Sequence, residues 1–270
     1  MTGPSIAQMV VVATLLGLQE LGMLPQHKSG FFCNDPALSY PYLGDTISMA
    51  FIICSIIACP LLLILITELV FTDSEQSTRS KVVHSSKKAV WLYRSYAYGL
   101  MFNISIIEVM KAVSGIPRPT FFDICEPDTA MTCNGSDFVS TFECTSTRFS
   151  TWYQMDSYHS FPSGHTSLSV YCGLFMAWYL QRRAFDWSHR TVFLVPVLQL
   201  ICITYAVVCS LTRISDHRHH WWDVLTGSVV GIICLVYTVI VLCDNFSYAK
   251  EENAEDMNMT ASQLTTRTTI

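Results

Sequence analysis

The sequence predicts an all-α, polytopic membrane protein with six transmembrane helices. Hydrophobic residues make up 51% of the chain and charged residues only 14%, whereas soluble proteins average about 25% charged residues. A helix needs about 20 mostly apolar residues to cross the hydrocarbon core of a bilayer. Six stretches approach that requirement: residues 6–24, 47–71, 89–113, 165–180, 191–211 and 224–243.

The first and third of these stretches need separate justification. We expect residues 6–24 to be a retained helix, since no Lys or Arg precedes it and Gln19 and Glu20 stand where a signal peptide would have small residues. The third stretch is the least apolar because it carries charged residues, among them Glu108 and Lys111. Charged residues within a transmembrane segment are rare, so they are candidates for a functional site.

The stretches divide the chain into three regions. Residues 1–5 are a short N-terminal segment, residues 6–243 form one transmembrane domain, and residues 244–270 are polar, at first acidic and then rich in Thr. Such a composition favours a disordered tail. The net charge is −5 and no long basic block is present, so nucleic acid is excluded as an expected partner.

Lys and Arg in the short connections predict the orientation in the membrane. The second and fourth connections are basic and are expected to be cytosolic; they contain Arg79, Lys81, Lys87 and Lys88, and Arg182, Arg183 and Arg190. Both termini are then cytosolic, and the third connection, residues 114–164, faces the cell exterior or an organelle lumen. We expect the plasma membrane with an extracellular site, and the ER or Golgi lumen is the alternative.

The outward connections carry features that suit an oxidising compartment. Asn134 begins an Asn-Gly-Ser glycosylation sequon in the third connection. Four cysteines lie in the first and third connections, where disulfides can form: Cys33, Cys125, Cys133 and Cys144. Four cysteines allow three pairings, and the sequence does not choose among them. The other seven cysteines lie in or beside apolar spans and are interpreted as packing residues.

Three polar clusters stand at the outward ends of the predicted helices of a chain that is otherwise poor in charge. Taken singly, each has a plain structural explanation, since basic residues at helix ends snorkel and Ser caps helices. Their convergence on one side of the membrane indicates a site. The clusters are Lys111 with Arg118, then Ser163, Gly164 and His165, and finally Arg213, His219 and Asp223.

These residue types suit a phosphate group. Arg118 and Arg213 can bind phosphoryl oxygens with bidentate hydrogen bonds, and Lys111 adds a point charge. The start of a helix presents free N–H groups to an anion. Gly164 would let that backbone approach closely, and the Ser163 hydroxyl is one further donor.

The two histidines can divide the work of hydrolysing a phosphate ester. His219 would attack phosphorus and form a phosphohistidine, with Asp223 fixing its tautomer if the helix reaches back to His219. His165 would protonate the leaving oxygen and then activate water. The run "DHRHH" has no matching ligand cluster elsewhere, so we expect neither a metal nor a cofactor.

The ordered clusters resemble the three signature motifs of the type 2 phosphatidic acid phosphatases, and within them the lipid phosphate phosphatases, also called phospholipid phosphatases. The stretches "GFFCNDPALSYPYLGDTIS" and "DHRHHWWDVLTG" are similar to that branch. The resemblance covers roughly residues 30–244. The motifs are Lys111-(six residues)-Arg118-Pro119, Pro162-Ser163-Gly164-His165 and Arg213-(five)-His219-(three)-Asp223.

The resemblance implies a six-helix bundle with an outward-facing, metal-independent site. It also implies hydrolysis of phosphatidate, lysophosphatidate, sphingosine 1-phosphate and ceramide 1-phosphate, in phospholipid metabolism and signalling. The resemblance also assigns roles to the eight residues of the three clusters. Lys111, Arg118, Ser163, Gly164 and Arg213 would bind phosphate, His165 would be the acid and base, and His219 with Asp223 would be the nucleophile and its orienting partner. Thr212 departs from the usual Ser but keeps the hydroxyl, and the short N-terminus departs as well.

Two other functions remain open from the sequence, and so does the subunit count. A catalytically silent lipid-phosphate binder or transporter would use the same cationic pocket without releasing phosphate. A phosphatase acting on a soluble ester, as glucose-6-phosphatases do, would use the same residues on another substrate. Lipid phosphates and the bilayer are the expected partners, and a homo-oligomer is left open.

Overall fold

A computed structural model describes residues 27–72, 78–131, 133, 135–186 and 191–247, together with positions 14 and 17. The predicted N-terminal segment 1–5, nearly all of the first predicted span, the sequon residue Asn134 and most of the predicted tail lie outside the described residues.

Seven α-helices and one small sheet make up the described chain. In chain order the helices are α1 (Met49–Phe71), α2 (Thr78–Ser114), α3 (Phe121–Cys125), α4 (Thr151–Asp156), α5 (Gly164–Arg183), α6 (Thr191–Ser215) and α7 (Trp221–Tyr237). α7 continues as a π-helical segment, Thr238–Leu242, and short 3-10 turns occur at Pro36–Leu38, Asp128–Met131 and Asp244–Phe246. Strands β1 (Phe31–Phe32) and β2 (Phe138–Val139) pair antiparallel.

Four of the described helices are long and apolar enough to cross a membrane: α1, α2 from Arg79 onward, α6, and α7 with its π-helical continuation. Their exposed faces are apolar, as lipid contact requires, and include Phe51, Ile57, Phe193, Leu200 and Ile233. These helices indicate a multi-pass membrane protein.

Helix α5 lies at the centre of the bundle. Fifteen of its 20 residues are buried, and it packs against α1, α2, α6 and α7. Because it contacts protein rather than lipid, it can carry Ser, Thr and Gly, and it is less apolar than α1, α6 and α7. The helix coincides with the predicted fourth span, residues 165–180, while the total of six spans stays a prediction.

Glycines let α7 approach α5 closely. A Cβ built on Gly227 would lie 2.5 Å from the carbonyl oxygen of Ser163, and one on Gly231 would lie 2.6 Å from that of Ser167. Real Cβ atoms essentially never come this close to another heavy atom. The start of α5 and the middle of α7 are therefore in close backbone contact.

The first and third connections fold together into one unit, the cap, which comprises residues 27–48, 115–131, 133 and 135–163. The β1–β2 pair lies within it, and disulfides join Cys33 to Cys133 and Cys125 to Cys144. Aromatic rings form its small core, namely Phe31, Phe121, Phe142 and Tyr158. The cap therefore has a hydrophobic cluster of its own.

At the other end of α5, a buried ion pair joins α5 to α1. Arg183 donates from Nε and Nη2 to the two carboxylate oxygens of Glu68, both at 3.2 Å. Tyr179 donates to the same carboxylate at 2.8 Å. Glu68 is fully buried, so these bonds compensate for its desolvation.

Candidate active site

The first and second polar clusters meet where α2 ends and α5 begins. Helix α2 ends at Ser114, because Gly115 takes a φ of +55° and Pro117 cannot continue a helix. Lys111 lies on the last turn, and its Nζ donates to Glu108 Oε1 at 2.9 Å. A Cβ built on Gly164 would lie 3.6 Å from Lys111 Nζ. The lysine ammonium therefore faces the start of α5.

Arg118 connects the first cluster to the third. Its Nε and Nη2 donate to the backbone oxygen and Oδ1 of Asp156, at 2.8 and 2.6 Å. Its Nη1 faces the other way, 3.3 Å from Nε2 of His219. The guanidinium is buried, so this contact is shielded from bulk solvent.

The contacts of His219 fix the position of its proton. A guanidinium only donates hydrogen bonds, so Nε2 accepts from Arg118. The Nδ1 atom then carries the hydrogen and donates to the backbone oxygen of Ser160 at 2.7 Å. His219 is therefore a neutral imidazole whose Nε2 lone pair faces an arginine.

The surroundings of His219 keep it uncharged. Burial lowers the pKa of His219, the Arg118 charge lowers it further, and Asp223 opposes both, with the pKa at about 3. At neutral pH the imidazole therefore keeps its lone pair, as a nucleophile requires.

Asp223 holds its place without a direct hydrogen bond to His219. Helix α7 begins at Trp221 and does not reach back to His219, so the expected sharing of one helical face does not occur. Asp223 Oδ2 lies 3.7 Å from His219 Nδ1, beyond hydrogen-bond distance. It accepts instead from Ser160 Oγ at 2.6 Å and from the backbone of His220 at 2.9 Å. Ser160 thus contacts both residues of the predicted pair.

Ser163 and His165 lie at the start of α5. Ser163 is the N-cap residue, and its hydroxyl oxygen accepts from Thr166, which leaves the hydroxyl hydrogen available to an anion. The Nε2 atom of His165 is buried and has no hydrogen-bond partner among the described residues. The positively charged side chains that act on His165 are those of Arg213, Arg118 and Lys111, and the His219 ring is a further neighbour. Residues of all three clusters therefore converge on this imidazole.

Arg213, which lies near the end of α6, is fully buried. Its Nη1 donates to Asp45 Oδ1 at 3.0 Å, and its Nη2 donates to Asp216 and to the backbone of Ile47 at the same distance. The predicted phosphate-binding arginines therefore both pair with carboxylates in this structure, Arg118 with Asp156 and Arg213 with Asp45.

Sequence reasoning missed several residues of the site: Ser160, Asp45, Asp156, Asp216 and Arg218. The only available signal was their position, since all lie in the connections predicted to face outward. A sequence does not show which of these residues meet. In the described part of the chain no three His, Cys, Asp or Glu side chains converge as a metal site, and the expectation of no metal stays a prediction.

Comparison with known proteins adds independent evidence on the family. Residues 92–246 match the PAP2 superfamily. The chain belongs to the PAP2 superfamily. The matched segment contains all eight motif residues, from Lys111 to Asp223.

The curated relatives are similar over most of their length. Phospholipid phosphatase 2 of Mus musculus is 33% identical, with 82% of this chain and 78% of the relative covered. Phospholipid phosphatase 1 of Rattus norvegicus is 29% identical over 98% of this chain and 94% of the relative. A Caenorhabditis elegans phospholipid phosphatase homologue is 30% identical over 90% of this chain and 71% of the relative. No solved structure matches this chain.

Proposed function

We propose that this protein is a membrane lipid phosphate phosphatase that hydrolyses a phosphomonoester through a phosphohistidine on His219. One observation carries the proposal above the others: His219 Nε2 accepts from Arg118 at 3.3 Å while Nδ1 donates to Ser160. A neutral imidazole keeps the Nε2 lone pair that attack on phosphorus requires. When substrate binds, Nη1 of Arg118 would turn from Nε2 to a phosphoryl oxygen, which frees the lone pair and places the positive charge on the transferring group. The names of the PAP2 relatives, phospholipid phosphatases 1 and 2, support the reaction class.

In the first step, Nε2 of His219 attacks phosphorus and the bond from phosphorus to the lipid oxygen breaks. His165 donates its proton to the leaving oxygen, so that an alcohol departs. A phosphate dianion beside His165 favours its protonated form, since an opposite charge stabilises the cation. The positive charge that forms on His219 is balanced by the nearby carboxylate of Asp223.

In the second step, water attacks the phosphohistidine. His165 is now neutral and accepts the proton of that water, which regenerates its protonated form. The bond from phosphorus to Nε2 breaks, inorganic phosphate leaves, and His219 returns to the neutral state. Each proton given in the first step is thus recovered in the second.

The phosphoryl oxygens would be held by the cations and by the start of α5. Lys111 Nζ lies beside Gly164, where the backbone N–H groups of the first turn point toward an anion. Ser163 adds its hydroxyl hydrogen. Arg118 and Arg213 would stabilise the charge that the phosphoryl group carries in the transition state.

Phosphatidate, lysophosphatidate, sphingosine 1-phosphate and ceramide 1-phosphate are the proposed substrates. The site lies at the ends of membrane-crossing helices, so a lipid can present its phosphate while its acyl chains stay in the bilayer. We propose that the cap and the site face outward and that residues 6–243 form one enzyme domain. A faster reaction on long-chain than on short-chain substrates would support entry from the bilayer.

The test is phosphate release from phosphatidate in mixed micelles with EDTA present. We expect turnover by the wild type and a loss of at least about 10³-fold in His219→Gln. His217→Gln is the matched control, since His217 is an exposed imidazole two positions away that stacks on Tyr40. Phosphate trapped on His219 after acid-free quenching with labelled substrate would support the intermediate.

The rival functions give different results in the same assay. A silent binder or transporter would bind lipid phosphate and release none. A phosphatase for soluble esters would act on a water-soluble phosphomonoester at least as fast as on phosphatidate. Full turnover in His219→Gln would overturn the assignment of the nucleophile.

A further inference from the structure

Alternating positive and negative side chains link the cap to the first and third motifs. We call this set the ion-pair chain, and no member other than Arg118 and Arg213 belongs to the motifs. Its members in spatial order are Arg118, Asp156, Arg218, Asp45, Arg213 and Asp216.

Asp156 connects Arg118 to Arg218. Asp156 is the last residue of α4, in the cap. Its Oδ1 accepts from Arg118 Nη2 at 2.6 Å, and its Oδ2 accepts from Arg218 Nη2 at 2.9 Å. Burial raises the pKa of Asp156, but the charges of Arg118 and Arg218 outweigh that effect and bring it to about 2. Asp156 is therefore an anion at neutral pH.

Asp45 connects Arg218 to Arg213. It lies in the other part of the cap, before α1. Its Oδ1 is 3.0 Å from Arg213 Nη1 and 3.1 Å from Arg218 Nε. Arg218 also lies over the ring of Tyr42, with 4.9 Å between its guanidinium carbon and the ring centre. One guanidinium thus joins the two cap carboxylates.

The bonds of Asp156 set the direction in which Arg118 points. Asp156 binds Nε and Nη2 of Arg118, which leaves Nη1 for His219 and for the backbone oxygen of Arg218. Without the carboxylate, the buried guanidinium would keep the bond from Nε to the backbone oxygen but lose the bond from Nη2 and its charge compensation. The same reasoning applies to Arg213 and Asp45, because Arg213 has no exposed surface.

We propose that Asp156 and Asp45 are positioning residues of the phosphoryl site, and that they act as a unit through Arg218. By this inference the cap, rather than the membrane helices, sets the spacing of the two phosphate-binding arginines. The inference rests on the proposed function and assigns roles to residues outside the three motifs.

The test compares Asp156→Asn, Asp45→Asn and Arg218→Gln with two matched controls in the full-length protein. Asp128→Asn removes an exposed cap carboxylate that binds only backbone N–H groups, those of Thr129 and Glu143. Arg148→Gln removes an exposed cap arginine that pairs with Asp123. The readouts are kcat and KM on phosphatidate, the inhibition constant of orthovanadate as a phosphate-shaped probe, and the thermal unfolding midpoint in detergent.

We expect kcat/KM to fall by about 10- to 100-fold in the three site variants, because a misplacement of 1 Å can cost about 10²-fold. Orthovanadate should bind more weakly in the same variants, while both controls stay near wild type. Asp156→Glu, which restores the charge, should recover part of the loss seen in Asp156→Asn.

Combining the variants tests whether Asp156 and Asp45 act as one unit or have independent structural roles. If Arg218 carries the connection, Asp156→Asn combined with Asp45→Asn should lose less than the product of the single losses. If the two residues act independently, the double variant should lose kcat/KM by the product of the two single losses. Should Asp156→Asn fail to fold, Arg218→Lys is the alternative variant. It keeps the positive charge but removes the guanidinium that contacts both Asp156 and Asp45, and it should still weaken orthovanadate binding.

The two proposals can fail separately. Site variants that match the controls in kcat/KM and in orthovanadate affinity would overturn the positioning inference, even with an active wild type. A wild type that releases no phosphate from any phosphomonoester would overturn the proposed function. Weaker orthovanadate binding in the site variants would then still support the positioning of the arginines.

Discussion

The backbone of Gly227 lies against the carbonyl oxygen of Ser163, so that a Cβ at position 227 would come within 2.5 Å of that oxygen. Nearby, the backbone N–H of Ser163 donates to the backbone oxygen of Asp223 at 3.0 Å. This contact fixes the distance between the helix start that would hold the phosphate and the helix that carries Asp223.

We therefore expect Gly227→Ala to damage both stability and activity. The added methyl must push α7 away from α5, at a cost of about 1–3 kcal/mol, and the shift should lower kcat on phosphatidate by about 10²-fold. Thermal unfolding in detergent and phosphate release measure the two effects. Ser228→Ala is the control, because the Ser228 hydroxyl bonds only within its own helix, to Val224. Wild-type stability and kcat in the Gly227→Ala variant would contradict the prediction.

Acidification should destabilise the protein through His219. In the unfolded chain this imidazole has a pKa of about 6.5, whereas in the folded protein the pKa is about 3. Between these values the unfolded state binds a proton that the folded state does not. Stability is therefore lost as the pH falls, by about 1.6 kcal/mol from pH 6.5 to 5, and the slope approaches about 1.4 kcal/mol per pH unit well below pH 6.5.

The measurement is the unfolding midpoint in detergent between pH 7.5 and 4.5. His219→Gln should make the midpoint less dependent on pH without abolishing that dependence, because burial also lowers the pKa of His159. His217→Gln should leave the slope in place. The pKa of Asp156, at about 2, adds a loss of the same sign only below about pH 4, outside this range. An equal slope in wild type and His219→Gln would show that other groups control the acid sensitivity.

The Glu68–Arg183 ion pair should contribute to the stability of the fold but not to the catalytic rate. Glu68→Ala would leave Arg183 buried without its carboxylate, which typically costs about 3–5 kcal/mol. Helix α5, with 20 residues, is about 30 Å long, and the candidate site lies at its other end. We expect a lower unfolding midpoint and an unchanged kcat per folded molecule.

The control for this pair is Arg182→Gln, at the neighbouring position. Arg182 donates to the backbone oxygen of Asn245 rather than to a buried carboxylate, so its loss should cost little. A fall in kcat of the folded Glu68→Ala variant would mean that the two ends of α5 are coupled.

Peptide mapping without reduction should find Cys33 linked to Cys133 and Cys125 linked to Cys144. Replacing Cys33 and Cys133 with Ser should lower kcat/KM, because this bond joins the two parts of the cap, which supply Asp45 and Asp156. Cys54→Ser, at a free cysteine exposed on α1, should have no such effect. Mapping that recovers another pairing would contradict the cap described here.

The sequence could place many residues of the candidate site at helix ends because the evidence for helix ends is local. The sequence placed Lys111, Ser163 and Arg213 at helix ends, and the structure has them on α2, α5 and α6 or at their caps. The contacts between these residues were harder to predict. Asp45 and Arg213, for example, are 168 residues apart along the chain. No property of either segment alone identifies the other as its partner.

Hydropathy and motif spacing, which depend on neighbouring residues only, determined the apolar stretches, the membrane class and the family resemblance. The tertiary structure decided which cysteines pair, that α5 is enclosed by other helices, and that Ser160 rather than Asp223 bonds to His219. It also decided that cap carboxylates hold the arginines. Each of these outcomes depends on the path of the chain in space, which brings together charges and backbone groups from segments that are distant in sequence.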